Sequence, residues 1–136
     1  MTAPRPIRIH GLADALAALS TASELHRPLT LVSAPGAAAH AGALWFREVV
    51  AKARAAFPDV VVTAVLDCAD RAGDVQGALA SGVTHILFTG HPDAARALAE
   101  VAAARGAVLL QALPGALDLR TVRDPAAACR AWLEES

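Results

Sequence analysis

Two short stretches carry the side chains best suited to chemistry. LDCAD, residues 66–70, sets a carboxylate, Asp67, beside a thiol, Cys68, at the end of an apolar run. TGHPD, residues 89–93, places Thr89 and His91 just ahead of a proline that suits the first turn of a helix. A cysteine activated by a histidine can act as a nucleophile, and a histidine titrates near neutral pH. Asp67, Cys68 and His91 are therefore the catalytic candidates, for lyase, isomerase or hydrolase chemistry. Each also has a plainer role. A strand-end aspartate caps a turn, a strand-end cysteine packs as a small hydrophobe, and a histidine before Pro92 fills the helix entry.

A third stretch, LTLVSAPGAAAHAG at 29–42, resembles a phosphate cradle at first sight. The nucleotide-binding loop GxxxxGK[ST] needs a lysine on the phosphate and a hydroxyl on magnesium. Here five residues separate the glycines and Ala43-Leu44 follows the second, so both groups are missing. The dinucleotide fingerprint GxGxxG is missing too. A weaker possibility survives, because free N–H groups at a helix start hold an anion without lysine. Gly36 permits the turn, while Gly42 has a simpler role in close helix–sheet packing. His40 lies on the flank of the following helix, as an ordinary exposed histidine or as a base or ligand. Ser33, Gly36, His40, Asp67, Thr89 and His91 make up the candidate ligand-binding set.

Other chemistries are excluded or unsupported. Lys52 is the single lysine against eleven arginines and sits mid-helix by pattern, which leaves no Schiff-base lysine. No GxSxG elbow is present. His40, Asp67 and His91 lack metal-ligand spacing, so no metal and no cofactor is expected. His10 and His85 stand at element starts and read as structural.

The elements that must position these residues alternate after residue 28. Strand-like runs at 30–33, 60–67, 84–90 and 107–113 interleave with helical patterns. In the first of these helices Phe46, Val49, Val50, Ala53 and Phe57 form one stripe. A weak helix over 73–81 and a helix after Pro92, with Leu98, Val101 and Ala102 inward, follow. Asp124-Pro125 starts the last helix. Leu12, Leu16 and Leu19 recur at helical spacing near the N-terminus, and Asp14 breaks what would otherwise resemble a leader.

Strands apolar on both faces belong to a covered parallel sheet. The expectation is one α/β domain over 1–136, a three-layer sandwich with a four- to five-stranded, mainly parallel sheet and helices on both faces. A flavodoxin-like strand order is preferred, and a half β/α-barrel with sequential order is the alternative. Residues 6–10 and 117–122 could each add a short edge strand. Ligands in such sheets bind beyond the strand carboxyl ends. The residues following the four strands are more polar there than at the amino ends.

Bulk properties narrow the partners. Of 136 residues, 35 are alanine, and the net charge is −1 with no basic stripe. Five FWY aromatics and no tyrosine argue further against nucleic acid. No apolar run reaches the roughly 18 residues of a membrane span. Cys68 and Cys129 suit free thiols in a reducing compartment, so a cytoplasmic location is expected. Alanine-faced helices bury little area per contact, and a homodimer would supply more. The leading functional expectation is a sensor or accessory module that binds a small polar or anionic metabolite at the sheet edge. The alternatives are an enzyme using Asp67, Cys68 and His91, or a structural subunit that meets its partner through Leu44, Trp45 and Trp132.

Overall fold

The computed structural model describes residues 5–40 and 42–135, without the side chain of His40. The chain runs β1 (Ile7–Ile9), α1 (Leu12–Leu25), β2 (Leu29–Ser33), α2 (Ala37–His40), α3 (Ala43–Ala56) and β3 (Val62–Asp67). It continues through α4 (Ala72–Ala80), β4 (His85–Leu87), α5 (Pro92–Ala104), β5 (Val108–Leu110) and β6 (Leu117–Asp118) to α6 (Pro125–Glu134). A single 3-10 turn, Leu119–Thr121, leads into α6.

Local signals account for most boundaries. Pro92 opens α5, where His91 Nδ1 accepts the Asp93 N–H at 3.1 Å, and Gly106 leaves it at φ 71°. Asp124 caps α6 through the Ala127 N–H at 3.1 Å. The α3 stripe is buried as expected at Phe46, Val49, Val50 and Ala53. In α5 the buried face is Ala95, Leu98 and Ala102. Val101 was expected inward but is exposed, because it sits about 100° round the helix from Ala102. The fourth apolar run stops pairing at Leu110, and residues 111–116 form an extended link instead.

All six strands are parallel, in the order β5-β4-β3-β2-β1-β6. The α/β class and parallel sheet match the sequence reading, with six strands rather than four or five. The flavodoxin-like order does not hold. It would seat β2 beside β4, whereas β2 lies between β1 and β3. β1, with α1 as its crossover, is a full first unit; each strand from β2 to β5 is added beside its predecessor, and β6 returns to the open edge of β1. This is the sequential order of the half-barrel alternative. The helices neighbour one another in the same succession, with α6 against α1, α1 against α3, α3 against α4 and α4 against α5. Right-handed crossovers over an unreversed sheet require that succession.

The pleat sorts the strand side chains into two sets. Ile7, Ile9, Leu31, Leu66, Ile86 and Phe88 join the helical residues in the main core. The helical faces there are alanine-rich (Ala15, Ala18, Ala22, Ala53, Ala78, Ala102), which gives the composition a structural use: close approach of helix to sheet. The alternate set, Val32, Val65 and Leu87, packs against Leu110, Leu113 and Ala116 in a second, smaller cluster.

Candidate functional site

The carboxyl ends of the strands meet at a cavity of about 400 Å³. It is lined by Arg8 from β1, Val32 from β2, Asp67 from β3, Leu87 and Thr89 at the end of β4, and residues 111–116. Its floor is the smaller apolar cluster. Its polar groups are a guanidinium, a carboxylate, a threonine and the amide of Gln111.

Arg8 anchors the site. Its Nη1 donates to Asp67 Oδ2 at 3.0 Å and to the Ser33 carbonyl. The side chain is only 19% exposed and that of Asp67 only 7%, so the pair is largely withdrawn from water. Asp67 Oδ1 also accepts the Ala69 N–H at 2.8 Å. Hydrogen bonds at both oxygens hold the buried charge, as such a charge requires.

Behind this pair stand two of the residues singled out in the sequence. Ser33 is buried; its hydroxyl accepts the Asp67 N–H at 2.9 Å and donates to the Ala34 carbonyl at 3.1 Å. Gly36, at φ 67°, donates its N–H to the Asp67 carbonyl at 3.0 Å. The Ala37 N–H is taken by the Ala34 carbonyl. The 33–37 loop thus spends these donors on the protein and acts as a brace for Asp67.

The remaining candidates are dispersed. Thr89 is exposed at the cavity rim, with its N–H on the Ala69 carbonyl at 2.8 Å. His91 is exposed outside the cavity lining and caps α5. Cys68 is fully buried among the core residues of the other sheet face. Burial, then the nearby charges of Asp74 and Asp67, push its thiol up to about 12. The His40 side chain lies outside the described residues. Geometry therefore joins Asp67 to Thr89 but does not join Asp67, Cys68 and His91.

Three side chains at this edge escaped the sequence reading. Arg8 sits between two isoleucines in IRIHG, and a charged residue inside so short an apolar run was the available signal. Gln111 ends the fourth apolar run, and a lone amide there carries no motif. His10 was read as structural, yet its Nε2 lies 2.6 Å from Asp118 Oδ1, bridging β1 and β6. Asp118 also accepts the Arg120 N–H at 3.0 Å. Burial works to raise the Asp118 pKa. The hydrogen bonds from His10 and Arg120, and the charges of His10 and Arg8, outweigh it and hold this carboxyl below its usual range.

Among the described residues, no group of three or more His, Cys, Asp or Glu side chains is arranged to hold a metal ion. No described helix is long and apolar enough to cross a membrane.

No protein-family model matches the chain, and no curated protein matches it. A solved structure does: a protein of Coccidioides immitis whose assignment as a fructose-1,6-biphosphate aldolase is provisional. The TM-score is 0.65 at 23% identity, over 79% of this chain and 44% of that one. The chain thus spans less than half the length of this neighbour. At that identity the likeness is one of fold.

Proposed function

We propose that the chain is a cytoplasmic ligand-binding module whose site is the Arg8–Asp67 cavity at the carboxyl edge of the sheet. It takes a small polar or anionic metabolite and works as a sensor or accessory domain, as a homodimer. One observation carries this reading. Arg8 is fixed by Asp67 and Ser33 through Nη1 alone, while its Nε and Nη2 have no protein acceptor among the described residues and the side chain lines the cavity. A largely buried arginine with open donors on a cavity wall is suited to an incoming oxygen ligand. Thr89 and Gln111 line the same cavity and supply the polar groups that orient it.

The enzyme reading built on Asp67, Cys68 and His91 has less support. A thiol held protonated beneath the helices cannot attack a ligand on the opposite face. The provisional aldolase likeness adds the parallel β/α framework and nothing about substrate.

Thermal shift against small carboxylates, phosphate and polyols tests the proposal. A ligand at a hundred times its Kd should stabilise by about 2.7 kcal/mol. Gln111→Ala and Thr89→Val, both exposed rim changes, should reduce the shift, and Arg8→Gln should abolish it. Absence of any shift, or a shift untouched by all three variants, would overturn the assignment.

A further inference from the structure

His10 follows Arg8 by two residues, the repeat of the pleat, and its ring is held by Asp118. Asp118 is the register partner of Arg8 on the neighbouring strand. Asp118 feels the charge of both His10 and Arg8, so the imidazole and the guanidinium flank one carboxylate, and Arg8 carries that group of charges to the cavity wall. Because the Asp118 carboxylate is an acceptor, Nε2 carries the proton and Nδ1 is left with its lone pair. Nδ1 has no protein partner among the described residues, and the His10 side chain keeps 18% of its surface exposed. The ring is anchored at one end and open at the other.

The charges around this ring are unbalanced. Arg8 is one cation. Against it stand Asp67, its ion-pair partner; Asp118, on β6; and Asp14, on α1, whose Oδ2 accepts the His10 main-chain N–H at 2.8 Å. With a neutral His10 the neighbourhood holds one positive and three negative groups. An anion entering beside Arg8 meets that excess unless the imidazole is protonated. The open Nε–Nη2 edge of Arg8 offers two parallel N–H groups, the geometry of a planar carboxylate. A phosphate dianion would add twice the charge to the same excess.

We infer that the cavity takes a monocarboxylate with a hydroxyl or carbonyl beside it, and that its binding is coupled to the uptake of one proton by His10. This rests on the binding reading above and adds the ligand class and its pH control. The carboxylate lies on Arg8 and the neighbouring oxygen faces Thr89 and Gln111. Asp118 is a positioning residue: it fixes the ring and leaves Nδ1 to receive the proton.

The test is titration of the full chain with L-lactate, D-lactate, pyruvate and inorganic phosphate from pH 5.5 to 8, followed by NMR shifts of the Arg8 Nε–H and the His10 ring. The expected result is that a monocarboxylate perturbs Arg8 and moves the His10 titration upward. Its Kd should weaken towards tenfold per pH unit between the free and bound His10 midpoints, as one-proton linkage demands. In His10→Gln, binding should fall to the weak level of the unprotonated natural chain and stay there across the pH range. In Asp118→Asn, the ring should lose its fixed tautomer and the pH profile should shift. Carboxylate binding with no pH dependence, or a pH dependence that survives in His10→Gln, overturns the coupling and leaves the binding reading standing. Tighter binding of phosphate overturns the ligand class. No perturbation of Arg8 by any of the four probes at any pH overturns both.

Discussion

Arg8 and Asp67 meet at 3.0 Å although they belong to β1 and β3, with β2 between them. The guanidinium crosses over β2 and takes its carbonyl at Ser33 on the way. Three strands are thereby tied at the edge where the cavity opens. Arg8→Met should strand the Asp67 charge and cost about 2–4 kcal/mol, somewhat below a fully buried pair because Arg8 keeps some exposure. Arg8→Met combined with Asp67→Asn should lose less than the sum of the single changes. Urea denaturation at pH 7 of the four proteins measures the coupling.

Ser33 serves this tie from behind. Ser33→Ala leaves the buried Asp67 N–H without its acceptor and should cost about 1–3 kcal/mol. If ligand affinity per folded molecule stays within about twofold, the brace acts through stability; a larger loss would place the hydroxyl in the binding event itself.

Cys68 should resist alkylation at pH 8, reacting at least about a hundredfold more slowly than free cysteine until the chain is unfolded. Its folded pKa, about 12, lies above the ordinary 9.0. The stabilising contribution is therefore complete below pH 9.0 and is lost as pH rises towards 12. Cys68→Ala should flatten part of that alkaline decline in a pH series of denaturation midpoints.

Gly90 should not tolerate a side chain. A Cβ there would lie 2.4 Å from Cζ of Phe88, a ring buried in the main core. Gly90→Ala should cost about 1–3 kcal/mol through displacement of that ring. Phe88→Leu in the same chain should recover part of the loss, which a pair of thermal melts would show.

The acid limb of stability should carry a signature of Asp118. Its carboxyl is held below the ordinary 3.8, so its contribution is present above that value and fades as pH falls through the folded pKa. Asp118→Asn should remove this part of the acid dependence, as followed by circular dichroism between pH 5 and pH 2.

The class of fold was legible because apolar period and helix signals agreed along the chain. Pro92, Asp124 and Gly106 fixed element ends by local chemistry that needs no tertiary context. Strand order was not legible. It turned on whether β2 pairs with β1 or with β4, and the three residues of Ile7–Ile9 carry too little pattern to claim that edge. The site was half legible. Asp67 and Thr89 follow strands that advertise themselves, and both reach the cavity. Arg8, His10 and Asp118 lie on β1 and at β6, the two shortest pieces of pattern, so their meeting depends on the register of β1 with β6. Cys68 illustrates the opposite error: one step along a strand from Asp67, it faces the other way, because adjacent strand residues point to opposite sides.

The link from Leu110 to Leu117 has a geometric corollary. Seven peptide steps can reach at most roughly 25 Å when fully drawn out. Six strands laid side by side on a plane would separate the outermost pair by about 24 Å before the link had travelled back along their length. A planar sheet would pull this link taut, yet Leu113 and Ala116 rest on Val32, Val65 and Leu87. The sheet is consequently rolled like an open gutter, with the link as a cord across its mouth. Lengthening the cord would let the gutter spread, so the radius of the hollow is written in the count of residues that cross it.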